Sequence, residues 1–159
     1  MTPTTLDSLA AAVGGHLPEG ERVERITRVG GGDINEAGVV ATSSGDRIFL
    51  KWNSASPDGM FSAEADGLAA LGAAAGDHLA VPRVRASGEE AGVAWLLMDY
   101  IERAGPERAG DAGVSWSVRL GRGVAELHRG PAHHDGSPDA EGLPGEDYGW
   151  SRDNFIGRL

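Results

Sequence analysis

The stretch Ile48-Phe49-Leu50-Lys51-Trp52 puts an ammonium inside a short apolar strand. Desolvating that charge is costly unless it finds a partner. Glu64 follows thirteen residues later, in the helix-like run Met60-Phe61-Ser62-Ala63-Glu64-Ala65-Asp66-Gly67-Leu68. Phe61 and Leu68 stand three before and four after it, so the carboxylate shares their apolar stripe. Two opposite charges thus lie where their own elements predict burial, and the economical reading is that they meet. The plainer alternative is a snorkelling lysine on an edge strand and a solvated glutamate.

Upstream of the lysine strand, residues 22–29 partly alternate and suit a strand. Gly30-Gly31-Gly32-Asp33-Ile34-Asn35-Glu36-Ala37 follows, and Val39-Val40-Ala41-Thr42 reads as the returning strand. Ser44-Gly45-Asp46 turns into the lysine strand. Three antiparallel strands result, with the glycine-rich loop in the first hairpin. Glycines there let backbone N–H groups approach a phosphate without interference from Cβ, although a flexible turn has the same composition. Before these strands, residues 5–13 form a helix with Leu6, Leu9, Ala10 and Val13 on one face, opened by Thr5 and stopped by Gly14-Gly15.

Downstream, Pro57 and Asp58 are placed to begin a helix over about 60–74, ending near Gly76-Asp77. Val81-Pro82-Arg83-Val84 reads as a short strand and Gly88 to Gly92 as a turn. Val93-Ala94-Trp95-Leu96-Leu97-Met98 is a continuous apolar run, the pattern of a strand covered on both faces. A charged connector from Glu102 to Gly113 precedes a helix over 114–129, with Leu120, Val124 and Leu127 at helical spacing. His128 closes that helix as a structural or helix-end residue. Residues 130–147 read as a long mobile loop, and His133-His134 there make a poor metal site without an ordered second layer of hydrogen bonds. Tyr148-Gly149-Trp150-Ser151-Arg152-Asp153-Asn154-Phe155-Ile156-Gly157 reads as an anchor with polar tips.

The chain has 159 residues, 14 Lys plus Arg against 24 Asp plus Glu, and a net charge of −10. That balance argues against non-specific nucleic-acid binding but leaves room for a local phosphate site. With no cysteine, disulfides and thiolate metal sites are excluded. No stretch reaches the ~20 apolar residues of a membrane span, and no signal-peptide pattern is present. A soluble, cytoplasmic protein is the expectation.

In order and spacing, these motifs are similar to those of the fructosamine kinase (ketosamine 3-kinase) family, relatives of the aminoglycoside phosphotransferases and, more distantly, of protein kinases. The carrying residues are Gly30 through Ala37, Phe49-Leu50-Lys51, Met60-Phe61 with Glu64-Ala65, Val81-Pro82-Arg83-Val84, Trp95 through Ile101, Leu120-Gly121 through Leu127-His128, and Tyr148-Gly149-Trp150 with Asn154-Phe155-Ile156-Gly157. The resemblance implies an α+β fold: a kinase-like N-lobe over residues 1–101, with about five antiparallel strands and one main helix, then the start of a helical lobe over 102–159.

It also implies ATP-dependent phosphorylation of the sugar part of ketosamines or glycated amines, a step in deglycation. Lys51 would hold ATP phosphates and Glu64 would orient it. Gly31, Gly32, Asp33, Ile34, Asn35 and Ala37 would cover the phosphates. Backbone at Met98, Asp99, Tyr100 and Ile101 would meet adenine. Trp150, Arg152 and Asn154 would lie towards the sugar.

The family's His-Gly-Asp catalytic loop and later metal-binding aspartate do not occur in this sequence, so the Mg²⁺ ligands are expected beyond it. The chain therefore reads as the front half of a kinase, inactive alone. A non-catalytic half-kinase module binding nucleotide or protein is the second reading, and an aminoglycoside-type phosphotransferase fragment the third. A half-kinase exposes the face that packs on the missing lobe, so a homodimer covering that face, or a strand or helix exchange, is expected.

Overall fold

The computed structural model describes residues 5–30, 34–75, 77, 79–102 and 116–129. The fold is α+β. Its elements are α1 (Thr5–Gly14), β1 (Val23–Val29), β2 (Glu36–Thr42), β3 (Arg47–Asn53), α2 (Met60–Ala74), β4 (Val84–Glu90), β5 (Val93–Asp99) and α3 (Trp116–Arg129). The five strands make one sheet in the order β1-β2-β3-β5-β4, every neighbouring pair antiparallel. The lysine strand β3 lies at its centre, between β2 and β5.

Alternation along β2, β3 and β5 gives the sheet two apolar faces. Val40, Ile48, Leu50, Trp52, Val93, Trp95 and Leu97 turn one way and pack with Leu9 and Val13 of α1. Leu96 and Met98 turn the other way, against Met60 and Phe61 of α2, with Phe49, Ala65 and Leu68 at the margin. The unbroken apolar run 93–98 follows from this: both faces of β5 are covered.

Two irregularities explain sequence that resists a simple period. The β1–β2 register shifts between Val23 and Arg25. That β-bulge puts Val23 and Ile26, three residues apart, on the α1 side together. A second shift, between Val84 and Ala86, lets Val84 face α2 while Ala86 faces α1.

The expected strand at 81–84 is corrected by the structure: β4 begins at Val84 and runs on through 88–90, residues that read as a turn. Pro82 has no N–H to give a ladder, which holds the strand's start beyond it. Gly88, which suggests a turn in sequence, is a strand residue paired with Trp95. The turn itself is Ala91-Gly92, both at positive φ (51° and 76°).

Helix α2 spans Met60–Ala74, the expected range. Gly59 supplies the N-cap at φ 78°, and its carbonyl accepts from Ala63 N–H at 2.9 Å. In α3, Gly123 sits so close to Leu79 that a Cβ there would lie 2.3 Å from Leu79 Cγ. The glycine that weakens the helix in isolation is where it approaches the preceding chain. Leu120 and Val124, which share the expected apolar stripe, are exposed. His128 Nδ1 lies 2.8 Å from the Val124 carbonyl, a helix-internal contact that suits a structural role. Among the described residues, no helix is long and apolar enough to cross a membrane.

A Cβ built on Gly88 would lie 2.8 Å from Trp95 Cζ2, a rigid indole only 3% exposed. Gly88→Ala is therefore expected to lower the unfolding free energy by about 1–3 kcal/mol, measured by urea titration.

Candidate active site

The face of the sheet towards α2 carries the charged pair. Lys51 is in register with Ala37 on β2 and with Leu96 on β5, so the three share that face. Phe61, Leu68 and their neighbours seat α2 on the same face and bring Glu64 over the lysine. Lys51 Nζ lies 2.7 Å from both Glu64 Oε1 and Oε2. The two side chains are 24% and 29% exposed, so the pair is half-buried and not the enclosed one that the sequence suggests. That exposure lets solvent screen the interaction below that of a buried pair.

Next along β3 on the same face stands Asn53. Its Nδ2 donates to the Ile34 carbonyl at 3.1 Å and to Asn35 Oδ1 at 2.9 Å, and its Oδ1 accepts from Ala55 N–H at 2.7 Å. The end of the glycine-rich segment is thereby tied to the lysine strand. Glu36 braces the hairpin from the other side: it takes a 2.6 Å ion pair from Arg28 Nη1 and a hydrogen bond from Trp52 Nε1. The Arg28 guanidinium also lies 5.7 Å from the centre of a Trp52 ring.

At the end of β5, Met98 is buried against α2, and its side chain belongs to the core. Asp99 holds two arginines: Arg85 Nε at 2.8 Å and Arg83 Nε at 3.2 Å. Arg85 and Arg83, two residues apart, thus share one carboxylate. The Asp99 N–H donates to the Arg83 carbonyl at 2.9 Å. Tyr100 follows with Arg47 4.6 Å from its ring centre, and Arg47 Nη2 pairs with Glu102 at 2.9 Å. Ile101 is 48% exposed. Asp99 and Tyr100 are thus held from β4 and from β3.

Lys51, Glu64 and Ala37 come together, with Ile34 and Asn35 tied to the same strand. Gly31, Gly32, Asp33, Trp150, Arg152 and Asn154 lie outside the described residues, as do His133 and His134. Among the described residues, no three His, Asp or Glu side chains gather as a metal site. Asn53, Arg83, Arg85 and Arg47 are partners that the sequence reading passes over. Asn53 carries one available signal, since it stands two residues after Lys51 and strand period two puts it on the same face.

Comparison with known proteins identifies the family. A family model described as fructosamine kinase matches residues 6–159. The chain belongs to the fructosamine kinase family. It is 39% identical over 114 residues to a probable ketoamine kinase of Staphylococcus aureus, covering 71% of this chain and 35% of that protein. It is 30% identical over 156 residues to a probable ketoamine kinase of Synechocystis, covering 98% of this chain and 46% of that one. The chain therefore spans less than half the length of these two family members.

A crystal structure of a putative fructosamine-3-kinase from Haemophilus somnus shares the fold, with a TM-score of 0.67 at 21% identity over 97% of this chain and 45% of that one. A second, from Thermobifida fusca, aligns with a TM-score of 0.55 at 26% identity over 76% of this chain and 38% of that one.

Burial alone pushes the Asp99 carboxyl up, but the hydrogen bonds and charges of Arg85 and Arg83 outweigh it and hold the group below the usual carboxylate range. A depressed folded-state value gives stability that is full above the unfolded value and is lost as pH falls through the folded one. The stability difference between wild type and Asp99→Asn should accordingly be steady near neutrality and shrink below about pH 4, read from urea unfolding across pH.

Proposed function

We propose that this chain is the ATP-holding part of a kinase acting on the sugar moiety of ketosamines. The observation that carries the reading is the Lys51 ammonium held 2.7 Å from both oxygens of Glu64, beside the strand end to which Ile34 and Asn35 are tied. A lysine fixed by a carboxylate and still 24% exposed is able to take a second anion. Phosphate oxygens are the anions that a glycine-rich backbone also favours.

In this reading, Lys51 neutralises charge on the phosphates and Glu64 sets its direction. Residues 31–37 cover the phosphates, and backbone at Met98 to Ile101 receives adenine. Residues 1–101 form the nucleotide lobe, and residues 102–159 lead into the second lobe, with Trp150, Arg152 and Asn154 on the sugar side. Mg²⁺ would arrive with ATP, held by ligands outside the sequence given. Phosphoryl transfer also needs a base for the acceptor hydroxyl, and the sequence has no His-Gly-Asp segment to provide it. The chain alone is accordingly read as binding nucleotide without transferring phosphate. The ketosamine acceptor rests on family membership and on the relatives' names.

A second reading is a half-kinase module that works without transfer chemistry. Its feature in the structure is that the Lys51–Glu64 pair forms from residues 36–64 alone, without any group from a second lobe.

Calorimetric titration of the 159-residue chain with ATP tests the first step. Lys51→Met should weaken ATP by roughly tenfold or more, the worth of a charge-assisted hydrogen bond. The same variant should lose only about 1–2 kcal/mol of stability, because the pair is half-buried. Unchanged ATP affinity would remove Lys51 from the site.

Transfer is tested with ribulosamine and fructosamine derivatives and radiolabelled ATP. The chain alone should release no phosphorylated product; turnover by it would show that it needs no further segment.

A further inference from the structure

Asn53 uses its whole side-chain amide. Its NH₂ group reaches two acceptors, the Ile34 carbonyl at 3.1 Å and Asn35 Oδ1 at 2.9 Å, while its oxygen accepts from Ala55 N–H at 2.7 Å. This pattern settles which way the amide is turned, since the reverse orientation would set N–H against N–H at Ala55 and oxygen against oxygen at Ile34. It constrains Asn35 in turn. With its oxygen engaged by Asn53 Nδ2, Asn35 turns its pair of N–H donors away from that contact. Those donors suit an anion and not a metal cation. Lys51, two residues before Asn53 on the same strand face, supplies the matching positive charge. The bracing of Glu36 by Arg28 and Trp52 fixes the next residue of the chain, so the segment from Ile34 to Glu36 is held at three consecutive positions.

We propose that Asn53 is a positioning residue for nucleotide phosphate, holding Ile34 in place and turning the Asn35 amide so that its N–H groups serve the phosphate oxygens. The inference deepens the nucleotide reading and rests on it. Asn53 itself need not touch the nucleotide; it acts through Asn35 and through the backbone at Ile34. The arrangement also separates two kinds of affinity. Adenosine, which lacks phosphates, gains nothing from it, whereas ATP does.

The test measures equilibrium binding of ATP and of adenosine to the wild-type chain and to Asn53→Ala, Asn35→Ala and the double variant. Asn53→Ala should weaken ATP roughly fivefold, the worth of an ordinary hydrogen bond, and leave adenosine unchanged. The ATP loss in the double variant should fall short of the sum of the single losses, because the two residues act as one unit. Asn53→Ser covers the case in which Asn53→Ala misfolds. Serine retains an acceptor for Ala55 N–H but is too short to reach Ile34 and Asn35, so it should reproduce the selective ATP loss.

Equal weakening of ATP and adenosine, additive losses, or an Asn53 variant that binds ATP like wild type would overturn the proposal while leaving nucleotide binding standing. Wild-type chain that binds neither ligand would overturn the nucleotide reading and this inference with it.

Discussion

An ammonium and a carboxylate from adjoining elements meet across one face of a sheet, and the surrounding fold is what allows it. Lys51 can reach Glu64 only if β3 is central and α2 lies across it. Both conditions are met by apolar packing. Ile48, Leu50 and Trp52 bury against α1, which commits the alternate positions Phe49, Lys51 and Asn53 to the side of α2. Phe61 and Met60 then seat the helix at the height of Leu96 and Met98. The ion pair does not hold this structure up; it is placed by it. Half exposed, it contributes modestly to stability, and that exposure leaves the lysine able to meet another charge.

The two faces consequently divide the work. The α1 side is a core of large apolar residues, with Trp52, Ile48, Leu50 and Leu97 wholly buried. The α2 side is a thinner core bordered by polar groups that touch one another: Lys51 with Glu64, and Asn53 with Ile34 and Asn35. Trp52 ties the α1 side to the hairpin. Its ring fills the α1 core while its N–H reaches Glu36, which pairs with Arg28 across the β1–β2 hairpin.

Much of this was legible from residue order. A charged residue in an apolar strand, a carboxylate on an apolar helical stripe and a glycine cluster between two strands led to the central meander, α2 and the Lys51–Glu64 contact. What stayed hidden depends on registers that no local period records. Val23 and Ile26 look like opposite-face residues until a bulge brings them together. In β4, Gly88-Glu89-Glu90 reads as part of a turn because an edge strand exposes most of its side chains and Gly88 must be bare beneath Trp95. Arg83 and Arg85, two residues apart, converge on Asp99, a cross-strand partner that no local pattern names. Asn53 was within reach of strand alternation, but an asparagine at a strand end has so many turn-forming uses that its partners emerge only in three dimensions.

The strand order has a further consequence, for how the chain assembles. Strand β3 gains its first neighbour, β2, from a short hairpin, but its second, β5, only after residues 54–92 have been laid down. Closing that long excursion is entropically expensive, whereas the β1–β2–β3 meander and the β4–β5 hairpin are local and quick to form. The two pieces zip together along the line where Lys51 lies opposite Leu96. The seam that completes last in this ordering is thus the one carrying the lysine, and a half-assembled chain would have its sheet hairpins in place but no finished pocket.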